Sequence, residues 1–141
     1  MRSPALVAAC LGVTLVIGAC GDGSTTPGTA DPTGPRPASS ARLAIQAPRD
    51  GQTFDDPDVE VRVRLEDARL VDLTTTDIRP DEGHLHVMLD DTLVSMTGEL
   101  HQTLPRLDPG QHVLTVEFVA ADHLPFDPRV VAGVAFRVAR S

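Results

Sequence analysis

Val59-Glu60-Val61-Arg62-Val63-Arg64-Leu65-Glu66 decides the fold class of this chain. Apolar and charged residues alternate strictly, so one face of an extended strand is apolar and the other carries only charge. Three of the four apolar positions are β-branched valine, which suits a pleated surface. The same period of two recurs downstream. Leu85, Val87 and Leu89 alternate with His84, His86, Met88 and Asp90, and Leu114, Val116 and Phe118 alternate with Val113, Thr115 and Glu117. Val130, Ala132, Val134, Phe136 and Val138 make one face of a last strand, and Leu43 and Ile45 suggest a first. Weaker strands are expected at 68–73, 92–96 and 99–104. No long stretch repeats its apolar residues at a helical period.

Pro48-Arg49-Asp50-Gly51, Pro80-Asp81-Glu82-Gly83 and Asp108-Pro109-Gly110-Gln111 punctuate these runs as turns. Short strands with spaced turns, in a segment of roughly 100 residues, argue for an all-β domain. We expect an antiparallel immunoglobulin-like β-sandwich of about seven strands over residues 41–141, with a small barrel as the competing architecture.

The amino-terminal 40 residues read differently. Arg2 supplies a positive start, Ala5 to Ala19 is uncharged and apolar, and Gly18-Ala19 are small residues before Cys20. This is the pattern of a lipoprotein signal peptide over residues 1–19, with Cys20 as the acylated residue. Its apolar run is shorter than the ~20 residues a membrane span needs. Residues 20–40, rich in Gly, Ser, Thr and Pro, hold too little apolar surface to offset ordering entropy and are expected to be a disordered linker. The implied address is the extracytoplasmic face of a bacterial membrane, held by the lipid anchor. Of the two cysteines, Cys10 leaves with the signal peptide, so no disulfide staples the mature domain and no cysteine-based zinc site is available.

All 12 basic residues are arginine, and removing residues 1–19 takes away Arg2 and no acid, moving the net charge from −8 to −9. With no basic stripe and four Phe as the only aromatic side chains, nucleic-acid binding is excluded as a reading. No nucleophile elbow, phosphate loop, dinucleotide fingerprint or zinc-protease helix is present, so no catalytic residue is nominated and a non-enzymatic role is expected. A monomer is expected, with an envelope protein or glycan as the natural partner of the sandwich's loops.

Three segments carry a family resemblance: Gly83-His84-Leu85-His86-Val87-Met88-Leu89-Asp90, Leu107-Asp108-Pro109-Gly110-Gln111-His112-Val113-Leu114 and Ala121-Asp122-His123-Leu124-Pro125. In this order they resemble an uncharacterised bacterial exported domain, secreted or lipid-anchored, over roughly residues 46–138. Members carry Gly-His-x-His, Pro-Gly-x-His and Asp-His segments, often with a further histidine where this chain has Leu85. The resemblance implies an all-β envelope module and brings no established activity; His84, His86, His112 and His123 match its pattern with no role attached.

Read from the residues themselves, His84 and His86 are the sharpest chemical feature. Positions i and i+2 project from one face of a strand, about 6.6 Å apart. The core claims Leu85, Val87 and Leu89, which leaves both imidazoles on the outer face or at its rim. If this strand runs antiparallel to the one beginning at His112, the loop Asp122-His123 comes towards them, with Glu117 and Met88 nearby. A set of His84, His86 and His123, with Asp122 as a possible fourth donor, suits Zn²⁺ or Cu²⁺, and Met88 would tilt the choice towards copper. The competing reading makes these histidines polar surface and backbone partners, and Met88 and Met96 packing residues. His112 should sit at the opposite end, bonding a turn carbonyl, and His101 should face solvent. Asp55-Asp56-Pro57-Asp58 lacks the spacing of a calcium loop and reads as a turn; Asp90-Asp91 reads as a hairpin closure and Asp127-Pro128 as a turn.

Overall fold

A computed structural model describes residues 34–140. The expected signal peptide 1–19, the lipidated Cys20 and most of the 20–40 linker lie outside the described residues. Among the described residues, nine strands follow one another without a helix: β1 (Arg42–Ala47), β2 (Gln52–Phe54), β3 (Val59–Glu66), β4 (Arg69–Leu70), β5 (Glu82–Leu89), β6 (Thr92–Thr97), β7 (His101–Leu104), β8 (Gly110–Ala120) and β9 (Pro125–Val138). They form two sheets. One has the order β1-β3-β7; the other runs β2-β9-β8-β5-β4, with β6 also paired to β5.

The alternation in β3 does what its pattern predicts. Val59, Val61 and Val63 are buried while Glu60, Arg62 and Arg64 are exposed. They meet Leu85 and Val87 of β5, Leu114, Val116 and Phe118 of β8, and Phe136 and Val138 of β9 in one core between the sheets. Phe118 stacks on Phe126 and Phe54 meets Phe136 edge-on, so every phenylalanine joins this interior or its margin. Full burial of each such ring contributes about 1.5–3 kcal/mol. Without a disulfide, this apolar contact is what holds the sandwich together.

Two strands exceed the expected seven for a simple reason. β2 is three residues long and pairs parallel to the end of β9, Gln52 opposite Phe136, while β4 keeps only Arg69 and Leu70 of the expected 68–73 strand and pairs parallel to Glu82 and Gly83. Neither is long enough to show a period of its own. The expected strands at 92–96 and 99–104 appear as β6 and β7.

The pairing that positions the site is β5 against β8. It is antiparallel, with His84 opposite Val119 and His86 opposite Glu117. The β5–β6 hairpin closes through Asp90 and Asp91, both in the left-handed region, as a two-residue turn of this kind requires. On its other side, β8 pairs with β9 in continuous register from Gly110 to Phe118. The register then jumps, Phe118 facing Val130 but Val119 facing Pro125. Asp127-Pro128 lies in the resulting bulge rather than in a free turn.

Ordered contacts begin before residue 41. Arg36 bonds the Asp122 carboxylate and the carbonyls of Leu124 and Pro125, Pro37 O accepts the Asp127 N–H, and Ser39 Oγ bonds Pro80 O. The end of the expected linker is therefore fixed to the sandwich, because Arg36 finds a carboxylate that the surrounding Pro, Ser and Ala residues gave no reason to anticipate.

Candidate functional site: a histidine corner

The site lies where β5 begins and β8 ends. A tight loop, Ala121–Leu124, joins β8 to β9. The His123 N–H donates to Ala120 O, the Ala120 N–H to Leu124 O, and the Leu124 N–H to Asp122 Oδ1. His123 itself is left-handed, with φ of 64°. That conformation costs an L-residue roughly 1–2 kcal/mol and is maintained by the bonds around it. Its effect is to turn the imidazole back over β5.

There the three sequence-nominated imidazoles meet. The His123 ring stacks on His84 with centroids 4.2 Å apart and planes 7° from parallel. His123 also lies beside His86, with centroids 5.6 Å apart and planes at 17°. His86 Nε2 and His123 Nδ1 are 3.3 Å apart, and His123 Nε2 lies 3.1 Å from Thr74 Oγ1. Thr74 belongs to a segment that spans this corner, the Val71 N–H bonding Gly83 O and the Thr75 N–H bonding Ala121 O. His112, in contrast, is at the far end of β8. Its Nδ1 contacts Asp90 Oδ2 and its Nε2 contacts Asp108 O, each at 2.8 Å, as a turn-bonding residue would. His101 is exposed and contacts Glu60.

The corner is drier than an outer sheet face suggests. His84 is only 6% exposed, and its Nδ1 has no hydrogen-bond partner. An unsatisfied buried polar atom of this kind costs about 1–3 kcal/mol. Burial pushes the pKa values of His84 and His86 down, and the neighbouring His123 pushes both the same way. Neutral rings with free lone pairs are therefore favoured at neutral pH, which is the form that binds metal.

The donors are not equivalent. Lone pairs lie in the ring plane, so the parallel stack directs those of His84 alongside His123 rather than into the gap between His123 and His86. The His86–His123 pair is edge to edge, with two nitrogens aimed at one another. Asp122, the possible fourth donor, is already taken: Arg36 holds both of its oxygens at 2.7 and 2.8 Å. Burial raises the Asp122 pKa, but the Arg36 guanidinium and the Leu124 N–H more than offset this and hold the carboxyl below its ordinary value. Glu117 is likewise occupied, buried under a two-pronged contact from Arg129. Among the described residues, no three His, Cys, Asp or Glu side chains converge as a ready cation cage. The positioning residues Arg36 and Thr74 were missed by sequence reasoning, since neither sits in a motif.

No protein-family description matches the sequence, and no curated protein matches it. Among solved structures, the chain is similar to the fibronectin(III)-like modules of Clostridium thermocellum CbhA. That match has a TM-score of 0.50 and 16% identity, and covers 69% of this chain and 94% of that one. It is also similar to the PKD domain of human KIAA0319, with a TM-score of 0.45 and 19% identity over 81% of this chain and 96% of that one. The two-sheet topology and the likeness to the fibronectin(III)-like modules make the fold all-β and immunoglobulin-like, a sandwich of two sheets.

Proposed function

We propose that this chain is a lipid-anchored envelope module whose immunoglobulin-like sandwich carries a transition-metal site at the histidine corner. The observation behind this reading is the His86–His123 pair, two nitrogens 3.3 Å apart on a strand and a loop otherwise 37 residues distant in sequence. In a trigonal or tetrahedral site, metal–nitrogen distances near 2.0–2.1 Å put ligand nitrogens about 3.3–3.6 Å apart, with the metal off the line between them and both rings swung a little to face it. Thr74, on the other nitrogen of His123, can fix that ring's tautomer and orientation, as outer-shell partners of metal-bound imidazoles do. His84 supports the loop ring from beneath. Cys20, if acylated, places the site at a membrane surface.

Titration of the purified protein with Cu²⁺ and with Zn²⁺ tests this. One equivalent of at least one metal should bind with a dissociation constant below about 1 μM, and His86→Ala should weaken it at least about tenfold. His123→Gly should do the same while relieving the left-handed residue, so its thermal stability should be preserved. Unchanged affinity in both variants would refute the site. A second reading, a module docking an envelope protein or glycan, draws on a different feature. Leu93 and Val94 are exposed on β6, which pairs only with β5. Such an apolar edge suits strand addition by a partner, and failure to retain any envelope component in a pull-down would count against it.

A further inference from the structure

The β5–β6 register brings a residue to the corner that the three histidines alone do not include. His86 is directly opposite Met96, and this pair precedes the irregularity between Val87 and Met88 that leaves Val94 out of register. Directly opposed residues of an antiparallel pair share a face, with Cβ atoms about 4.5–5.5 Å apart. Met96 is 59% exposed, so core packing does not account for its thioether. Met88, two residues beyond His86 on the same face, is half-buried opposite Leu93 and is held by packing instead.

Resting on the metal reading above, we infer that the site is a copper(I) site, with His86, His123 and the Met96 sulfur as its donors. The argument is one of donor number and softness. Zinc in proteins takes three or four nitrogen, oxygen or thiolate ligands from the chain, with a water completing the tetrahedron where there are three. Here Arg36 and Arg129 have claimed the carboxylates of Asp122 and Glu117, Asp72 acts on His84 but joins no three-donor cluster among the described residues, and the stacked His84 directs its lone pair elsewhere. What remains is two imidazole nitrogens facing one another and one soft thioether across the ladder. Thioether sulfur selects copper(I) over harder divalent ions. A three-donor set also suits a closed-shell monovalent cation that tolerates low coordination. Copper(I) needs a lone pair on each of the two facing nitrogens, so the ring that now donates between His86 Nε2 and His123 Nδ1 moves its proton to its own other nitrogen, and no net proton is released. Met96 has the flexible, unbranched stem needed to swing over the pair. No electron transfer is required, because the ion is bound as copper(I).

The test is competition for copper(I) against a chromophoric chelator under reducing, anaerobic conditions, with Zn²⁺ titrated in parallel, for the native protein and Met96→Leu. The substitution is exposed and close in volume, so it should fold; a thermal melt within about 2 °C of the native protein checks this. The inference expects copper(I) affinity to fall at least about tenfold in Met96→Leu, with Zn²⁺ affinity unchanged, and X-ray absorption of the native copper complex to show a sulfur neighbour that the variant lacks. If copper(I) binds equally well to both proteins, or both metals weaken alike, Met96 is not a donor and the inference fails while the histidine site stands. If the native protein binds neither metal, the histidine site itself is overturned.

Discussion

Gly83→Ala should be the most damaging single methyl group that can be added near the histidine corner. A Cβ built on Gly83 would lie 1.8 Å from Val119 O and 2.9 Å from Val119 C, where 3.4 Å begins ordinary contact. Both atoms are backbone, so nothing can swing aside. Relief requires β5 and β8 to part by roughly 1.5 Å at the point where Gly83 faces Ala120. Two ladder hydrogen bonds then fail, at about 1 kcal/mol each, and a carbonyl is stranded in a dry setting for a further 1–3 kcal/mol, or about 3–5 kcal/mol in total. The β4 junction suffers as well, because Gly83 O accepts the Val71 N–H. For a domain of this size the melting temperature should fall by roughly 15–30 °C. Urea denaturation followed by circular dichroism measures the loss, and Gly133→Ala is the control. Its added Cβ would meet nothing nearer than 3.7 Å, so it should be neutral or slightly stabilising. A loss below about 1 kcal/mol for Gly83→Ala, or equal losses for the two variants, would refute the reasoning.

His112 supplies a pH dependence of defined sign. Burial lowers its pKa, but the Asp108 carbonyl, the Asp90 carboxylate and the Asp108 charge outweigh that and raise it above the ordinary imidazole value, while the uncharged Phe136 ring packs alongside. A raised folded-state pKa contributes stability that is complete below about pH 6.5 and is lost as the pH climbs through the folded value. Because His84 and His86 shift the opposite way, the difference between the native protein and His112→Gln is the quantity to follow in chemical denaturation. It should shrink as the pH rises from about 6.5 through the raised folded value, and a constant difference would show that the proton is not held there. Arg36→Ala should cost about 1–3 kcal/mol by removing a part-buried, two-pronged ion pair. Hydrogen exchange at the Ala120 and His123 amides should quicken, and unchanged exchange would mean that the loop holds itself.

The legible part of this protein is the part governed by local alternation. β3, β5, β8 and β9 from Val130 onward could be read residue by residue, down to which side of β5 faces the core, because a period of two is written into neighbouring side chains; the start of β9 could not, since Asp127-Pro128 reads as a turn. β2 could not, since three residues between two turn clusters carry no period and its parallel partner lies more than 80 residues away. Gly83 is a case of right residue and wrong reason. Beside Pro80 it looks like turn chemistry, yet it stands inside β5 because a neighbouring carbonyl leaves room for hydrogen alone. The meeting of His84, His86 and His123 followed from antiparallel geometry. The depth of His84 did not, since nothing in Val71–Thr75 announces that this segment crosses the corner. The Met96 register depends on an irregularity at Val94, which hydrophobic patterning does not specify.

The Arg36 clamp also determines how this domain meets mechanical load. A pull on the chain ahead of residue 34 reaches the sandwich through the guanidinium on Asp122 and the Asp127 N–H on Pro37 before it reaches β1. Those attachments bear the tension together, whereas β1, once loaded from its end, could be peeled from β3 one bond at a time. Stretch is thus felt first by the short loop whose strained residue is His123, which couples the grip on the amino-terminal chain to the posture of a single imidazole.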